Sequence, residues 1–310
     1  MKWTTLLLSC LITTTWGQQP QPVLWLGLDS EVALASRTGL DEEAKALEIP
    51  FQLDGGLILI DGAIKGEQGS FIFDTGSPVF LVNDPSRTGV DEVFSIGLHQ
   101  LKAMHKVTVT DLSWAGLDFH SQEAYATDLQ HLEDLTHKNI LGIIGFEGLQ
   151  EYEIQFDLKQ KIMRFRPGGR AYTDHARMVK VPFEMAGHLP VITMTLGGKK
   201  IRFGLDTGAS VNVIDEKIAR TNKAWLSDLS QEALINDINK NTSRVKRVST
   251  SHLQLLDALD GEMAFCVLDL AHIRETANMP IDGLLGLPFF RNYSITIDFE
   301  GQAIYLSRGL

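Results

Sequence analysis

The sequence predicts an all-β fold built from two copies of one structural unit. The first observation is an internal duplication, because residues 50–84 and 182–216 align without a gap at a constant offset of 132 (206 − 74 = 132). The second is a downstream block, Gly142–Gly145, which recurs as Gly283–Gly286 at an offset of 141. The third is a set of short β-branched or aromatic runs, typical of strands. These runs lie at residues 57–60, 71–73, 107–109 and 295–297.

Each copy is expected to run as two strands, an Asp-Thr-Gly block, a variable middle, a Gly-x-x-Gly block and a closing hairpin. The closing strands are predicted at Ile162–Phe165 and Ala303–Leu306. Two stretches have apolar residues at helical spacing, Asp41–Leu47 and Lys223–Lys240, and we predict helices there.

The chain of 310 residues is long enough for two such units preceded by an N-terminal targeting segment. Lys2, an apolar stretch and Gly17 predict a signal peptide over residues 1–17. This stretch is shorter than the roughly 20 apolar residues that span a bilayer, so no membrane anchor is expected. We divide the rest into an extension, a first lobe, a linker and a second lobe, at residues 18–48, 49–168, 169–180 and 181–310. The extension has no counterpart in the second copy, and is either a structural strand and helix or a removable pro-segment.

Cysteine usage and charge bound the compartment and the partners. Cys10 lies in the predicted signal peptide, so Cys266 alone remains and no intramolecular disulfide is possible. A secreted eukaryotic enzyme of this size usually carries several disulfides. We therefore predict a secreted or periplasmic bacterial protein. We also expect it to be a monomer. The net charge of −11 argues against a nucleic-acid partner. The short basic run Arg244–Arg247 is interpreted as a solvated loop or strand face.

The candidate catalytic residues lie in the repeated tripeptides Asp74-Thr75-Gly76 and Asp206-Thr207-Gly208. Each Asp follows an apolar strand, where a glycine lets the backbone come close and turn its amide toward the carboxylate. The threonines can bond across to the sister loop. Two carboxylates in contact share one proton, so one acts as acid while the other acts as base on a bound water. Asp74 and Asp206 are therefore predicted to act, and to titrate, as a pair.

Other candidate chemistry is weaker. The nine histidines show no metal-binding spacing, so neither a metal nor a cofactor is expected. Cys266 lies in an apolar run and is interpreted as a buried thiol. Asp157 and Asp298 recur at strand ends before hairpins, where a turn-capping role is favoured.

The paired motifs at 74–77 and 206–209, with the downstream Ile143-Ile144-Gly145 and Leu284-Leu285-Gly286, resemble the pepsin/retropepsin aspartic proteases over about residues 49–308. The run from Gly283 to Phe290 looks most like the bacterial retropepsin-like proteins. The resemblance implies two β-barrel-like lobes with one Asp from each, and a cleft for an extended peptide or protein substrate. It implies an aspartic endopeptidase. The implied supporting residues of the two loops are Thr75, Gly76, Ser77, Thr207, Gly208, Ala209, Gly145 and Gly286.

The sequence departs from that family at the substrate-closing flap. Tyr125 is the only tyrosine between the first motif and residue 139, and it is too late in the chain to be the flap tyrosine of pepsins. The flap is therefore placed at Gly97–Lys106. Ser77 is expected to be able to bond the carboxylate of the first motif from outside, which Ala209 cannot do in the second. The alternative function is a non-catalytic peptide-binding or inhibitor module on the same fold.

Overall fold

The fold was analysed in a computed structural model of the chain, which describes residues 4–5, 10–13, 46–84, 86, 92–96, 101–236, 242–255, 261–271, 273–274 and 279–308. The strands up to residue 167 are β1 (Thr4–Thr5), β2 (Cys10–Thr13), β3 (Leu47–Pro50), β4 (Gln52–Asp54), β5 (Leu57–Ile64), β6 (Glu67–Phe73), β7 (Leu81–Asn83), β8 (Glu92–Ile96), β9 (Leu101–Trp114), β10 (Leu117–Thr127), β11 (Ile140–Ile144), β12 (Tyr152–Asp157) and β13 (Ile162–Pro167).

The later strands are β14 (Val179–Pro182), β15 (Glu184–Ala186), β16 (Leu189–Leu196), β17 (Lys199–Leu205), β18 (Val213–Asp215), β19 (Ser227–Asn236), β20 (Thr242–Thr250), β21 (Leu253–Gln254), β22 (Met263–Leu268), β23 (Gly283–Leu285), β24 (Tyr293–Asp298) and β25 (Ala303–Arg308). The α-helices are α1 (Gln130–Thr136), α2 (Glu216–Thr221) and α3 (Leu287–Asn292), and 3-10 turns lie at Phe146–Gly148, Thr173–Arg177 and Lys223–Trp225.

The two halves build matching sheets. The first sheet has the order β2-β8-β9-β10-β7-β11-β6-β5-β4, and the second has the order β1-β19-β20-β22-β18-β23-β17-β16-β15 with β21 on β16. In each sheet the strand that ends at an Asp motif, β6 or β17, lies parallel to the Gly-x-x-Gly strand, β11 or β23. The duplicated sequence therefore folds into duplicated topology, and the fold is all-β with two lobes.

A third sheet joins the halves, in the order β14-β25-β24-β12-β13-β3. Its central pair is β12 with β24, the equivalent strands of the two copies, in a register that sets Ile154 opposite Ile297. The predicted closing strands are both present here, slightly longer than expected, as β13 and β25. This sheet fixes how the lobes meet.

Tight hairpins feed the two Asp strands. The β5–β6 turn has Lys65 at φ 52° and Gly66 at φ 82°, and the β16–β17 turn has Gly197 at φ 55° and Gly198 at φ 82°. Positive φ at both central residues is the turn geometry that matches the twist of paired strands. Each turn sets the register of the strand that carries its aspartate.

Aromatic side chains form much of the core behind these strands. Phe73, the residue before Asp74, packs edge-on against Phe156 and Phe165 with ring centroids 6.0 Å apart in both pairs. In the second half Phe203 stacks on Phe265 at 5.7 Å. Burying each such ring stabilises the fold by roughly 1.5–3 kcal/mol. The Asp loops are thus anchored by packed rings.

Neither predicted helix is found among the described residues. Residues 41–45 lie outside the described residues, and Leu47 begins strand β3. The predicted helix Lys223–Lys240 is wrong as far as it is described, because a short 3-10 turn is followed by strand β19. Strand β19 pairs with β20 along most of its length, so ladder hydrogen bonds override the local helical spacing.

The predicted signal peptide is described only at β1 and β2, which pair with β19 and β8 at the edges of the two sheets. Within the described residues, no helix is both long and apolar enough to cross a bilayer.

Candidate active site

Asp74 and Asp206 lie where the two lobes meet, each directly after the strand that leads to it. The amide of Asp74 donates to the carbonyl of Ile144 at 3.0 Å, and the amide of Asp206 donates to that of Leu285 at 3.0 Å. Both aspartates are almost completely buried, with exposed fractions of 0% and 1%. The Gly-x-x-Gly strands therefore hold both aspartates at the same point of the turn.

The glycine of each motif supplies a donor to its own aspartate. Gly76 N–H donates to Asp74 Oδ1 at 2.8 Å, and Gly208 N–H donates to Asp206 Oδ1 at 2.9 Å. A Cβ at Gly76 would lie 2.5 Å from Asp206 Oδ1, and one at Gly208 would lie 2.5 Å from Asp74 Oδ2. Each glycine thus touches the aspartate of the other lobe, and only a hydrogen at Cα lets the carboxyl groups come together.

The two threonines exchange hydrogen bonds across the lobe boundary. Thr75 N–H donates to Thr207 Oγ1 at 2.9 Å, and Thr207 N–H donates to Thr75 Oγ1 at 3.1 Å. Each hydroxyl then donates onward to a backbone carbonyl of the opposite lobe, Thr75 to Leu205 and Thr207 to Phe73. All the donors are satisfied in a buried setting, so the loops are held in one relative position.

The glycines that close the Gly-x-x-Gly blocks, Gly145 and Gly286, pass against the Asp loops. A Cβ at Gly145 would lie 2.6 Å from the carbonyl oxygen of Ser77, and one at Gly286 would lie 2.5 Å from that of Val211. The next residues fasten the crossing, since Phe146 N–H donates to Ser77 O at 2.7 Å and Leu287 N–H donates to Ala209 O at 2.8 Å. These contacts hold both Asp loops against the Gly-x-x-Gly segments.

The two carboxyl groups influence each other's protonation. Burial raises the pKa of Asp206 well above that of an ordinary aspartate, and the charge and hydrogen bond of Asp74 raise it further. The amides of Gly208 and Ala209 act on that pKa in the opposite direction. A buried pair in hydrogen-bond contact keeps one proton between its members, because two adjacent negative charges cannot both be solvated.

His188 is a site residue that the motifs did not reveal. Its Nε2 lies 2.7 Å from the carbonyl oxygen of Gly76, in the opposite lobe. A carbonyl can only accept, so Nε2 carries the proton. Burial lowers the pKa of His188 to about 4, against the opposing effect of this hydrogen bond. His188 therefore fastens the first Asp loop as a neutral side chain.

The comparisons with known proteins agree with this geometry in part. The family model described as aspartyl protease matches residues 192–289. That stretch lies in the second half and contains Asp206 and Gly286. No curated protein sequence matches the chain. Among solved structures, the chain is similar to basic 7S globulin from soybean, at 11% identity and a TM-score of 0.48, over 84% of this chain and 94% of that one.

The expectation for Ser77 is wrong. Its hydroxyl donates to the carbonyl of Val79 at 2.9 Å rather than to the carboxylate of Asp74. A hydroxyl has one proton, and the turn after the motif places an acceptor two residues away. What the two loops share at this position is the backbone turn, in which the amides of Ser77 and Ala209 donate to the carbonyls of the aspartates at 3.1 and 3.3 Å.

The remaining sequence candidates lie away from the pair. Asp157 and Asp298 cap turns, as expected, by accepting from the amides of Gln160 at 2.8 Å and of Gly301 at 2.9 Å. Cys266 is buried, as expected, and burial raises the pKa of its thiol to about 11. In the described part of the chain, no group of three or more His, Cys, Asp or Glu is placed to hold a metal ion.

The predicted flap corresponds to the hairpin of β8 and β9, which pair from Glu92 with His105 to Ile96 with Leu101. Its tip, residues 97–100, lies outside the described residues. Met104, which lies within the range predicted for the flap, is 2% exposed and belongs to the core of the first lobe.

Proposed function

We propose that this chain is an aspartic endopeptidase of the retropepsin-like kind that hydrolyses peptide bonds in extended peptides or proteins. The observation that carries the proposal is the pair of buried carboxyl groups from two matching loops, in hydrogen-bond contact with each other. The match of the aspartyl protease family model to the second half supports it. The proposal includes export, for which the N-terminal sequence is the support.

The chemistry follows from the shared proton. A water between the two carboxyl groups loses a proton to the ionised one and attacks the peptide carbonyl carbon, while the protonated one donates to the carbonyl oxygen. In the breakdown of the tetrahedral intermediate, the carboxyl group that took the water proton gives it to the leaving nitrogen, and the other takes a proton from a hydroxyl of the intermediate. The C–N bond breaks, the new carboxyl group forms and the pair again holds one proton. Each glycine amide bonds one oxygen of its own aspartate, which fixes the orientation of both carboxyl groups. Neither aspartate has a fixed role, because the pair titrates as a unit.

An extended peptide is the substrate class that such a site takes. Two lobes of β-sheet present strand edges and hairpins, and a peptide in β conformation can add main-chain hydrogen bonds to them. Side chains of the peptide then alternate between the two lobes and set the preference.

The test is cleavage of a mixed peptide library by the purified chain from about pH 3 to about pH 8, read by mass spectrometry. Asp74→Asn and Asp206→Asn are compared with Asp157→Asn, which changes a repeated aspartate in a turn and keeps an acceptor there. We expect cleavage to fall by about 10²–10⁴-fold in each of the first two variants, and to persist in the third.

Cleavage that survives both substitutions contradicts the proposal. A folded chain that binds peptides but cleaves none at any pH supports the alternative of a peptide-binding or inhibitor module.

A further inference from the structure

The two lobes differ at one matched position beside the Asp loops. The sheet registers define the match, since Tyr125 pairs with Leu81 in the first lobe as Cys266 pairs with Val213 in the second. The aromatic ring of Tyr125 packs against the core of its lobe. The second lobe has only a small thiol at that place.

A cavity of about 940 Å³ lies at this place in the second lobe. Its apolar lining includes Val211, Leu229, Ala233 and Cys266. Val211 is five residues after Asp206, so the cavity borders the loop that carries the second carboxyl group. The size is within the range of pockets that hold a small ligand or a side chain, about 300–1,000 Å³.

The cavity is opened by an irregularity in strand β19. Its pairing with β20 passes from Leu229 opposite Arg247 to Ala233 opposite Val245, so three residues of β19 stand against one of β20. This bulge moves β19 away from the sheet and leaves room between the hairpin and the loop of Val211.

The guanidinium of Arg247 lines this cavity. Arg247 is the register partner of Cys266, as Lys106 is the register partner of Tyr125. Lys106 forms an ion pair with Glu123 at 2.9 Å. In the part of the chain that the structure describes, Arg247 forms no ion pair, because the position that corresponds to Glu123 is Ala264.

The other charges around the cavity do not replace that partner. Glu232 pairs with Arg244 at 3.6 Å. Asp228 also lines the cavity, but it is exposed and forms no ion pair with Arg247 among the described residues. Lys246 adds a second positive charge. The half-buried guanidinium therefore lines a cavity with both polar and apolar walls, whose charged residues carry a net positive charge.

We infer that this cavity is a substrate pocket for an acidic side chain, in which Arg247 binds the carboxylate of a glutamate or aspartate of the peptide. The substrate carboxylate pairs with Arg247 as Glu123 pairs with Lys106 in the first lobe. The methylene groups of the same substrate side chain contact Val211, Leu229 and Cys266. A guanidinium binds a carboxylate through two parallel hydrogen bonds, which gives direction as well as attraction. The inference rests on the proposed peptidase function, and it specifies the preferred substrate side chain at one position near the cleaved bond.

The first test compares cleavage specificity in a peptide library for the parent chain, Arg247→Met, Arg247→Glu and the matched control Lys106→Met. We expect the parent to favour Glu or Asp by about tenfold at one fixed position from the cleaved bond, the effect of one charge-assisted hydrogen bond. Arg247→Met removes the preference, Arg247→Glu reverses it toward Lys or Arg, and Lys106→Met keeps it. A parent without acidic preference, or a preference unchanged in Arg247→Glu, overturns the inference and leaves the peptidase proposal intact.

A second test does not depend on cleavage. A displayed random peptide library is selected on immobilised Asp206→Asn and on the double variant Asp206→Asn/Arg247→Glu. Acidic peptides enriched on the first and basic peptides on the second support the pocket even if the parent cleaves nothing, in which case only the peptidase proposal fails. Equal selections on the two variants, or no peptide retained by either, overturn the pocket.

Discussion

The two lobes are nearly identical at the Asp loops and different a few residues away. Both loops have the same glycine donors, the same crossed threonine bonds and the same bracing glycines. Beside them, Tyr125 corresponds to Cys266, and the ion-paired Lys106 corresponds to Arg247, which has no ion pair among the described residues. Under the proposed function this division has a reason, because both loops act on one bound water whereas a peptide substrate is asymmetric along its chain. The duplication is therefore kept where the chemistry is symmetric and lost where recognition is not.

The turns that touch the opposite loop also differ. His188 corresponds to Gly56 at the offset of 132, and both residues contact the loop of the other lobe. Gly56 approaches Ser210 so closely that an added Cβ would lie 2.6 Å from its Cβ. The first lobe thus makes this contact through the backbone of Gly56, and the second lobe makes it through a hydrogen bond from the imidazole of His188.

The largest effect is expected from the contact that the lobes share. Thr75→Val leaves the buried amide of Thr207 without its acceptor and the carbonyl of Leu205 without its donor. We expect the free energy of unfolding to fall by about 2–4 kcal/mol, measured by urea denaturation. Thr207→Val should cost a similar amount, and Thr75→Ser, which keeps the hydroxyl, much less. Unequal losses from the two valine variants would show that the lobes are not equivalent at this contact.

The next prediction concerns the turn where the lobes differ. The pKa of His188 is about 4 in the folded chain and 6.5 in the reference state, so the unfolded chain binds the proton first as pH falls. Stability should therefore be lost between about pH 6.5 and pH 4, by about 2.5 kcal/mol on going from pH 7.5 to 4.5. His188→Gln keeps a neutral donor and should remove that part of the loss, measured as the difference in urea denaturation from the parent. An unchanged pH dependence in the variant would mean that His188 is not buried as a neutral group.

A smaller effect is expected at the carboxyl pair. Because the pKa of Asp206 is raised from 3.8, its stabilising form is the protonated one, present at low pH and lost as pH rises through the raised pKa. Asp206→Asn does not titrate and should be more stable than the parent at pH 7.5, with the gain disappearing near pH 3.5. Thermal unfolding at the two pH values measures this. A gain independent of pH would place its origin outside the pair.

The smallest effect tests the difference between the two cations. Lys106 and Glu123 are partly exposed, with side-chain exposures of 34% and 44%, so Lys106→Met should lower stability by only about 0.5 kcal/mol. Arg247→Met removes a cation that has no ion-pair partner among the described residues, and should leave stability unchanged or raise it slightly. A loss at Arg247 as large as that at Lys106 would reveal an internal partner and weaken the case for a substrate carboxylate.

Much of the symmetric part was accessible from the sequence. The Asp-Thr-Gly repeats predicted which carboxyl groups meet. The glycine and threonine contacts follow because a tight turn allows only a few hydrogen-bond patterns. The helix predicted at Lys223–Lys240 failed because its apolar spacing fits two structures, and pairing with strand β20 selected the strand. Ser77 was assigned the wrong acceptor because a hydroxyl in a turn has several acceptors within reach.

The sequence by itself determined the all-β duplication and the residues of the two Asp loops, because duplication copies local turn chemistry along with the residues. Only the tertiary structure decided that His188 reaches Gly76, 112 positions away in the chain, and that Arg247 has Ala264 where Lys106 has Glu123. Those facts depend on strand register within each lobe and on how the two lobes meet. Register is fixed by the packing of whole sheets, so no short stretch of sequence carries it.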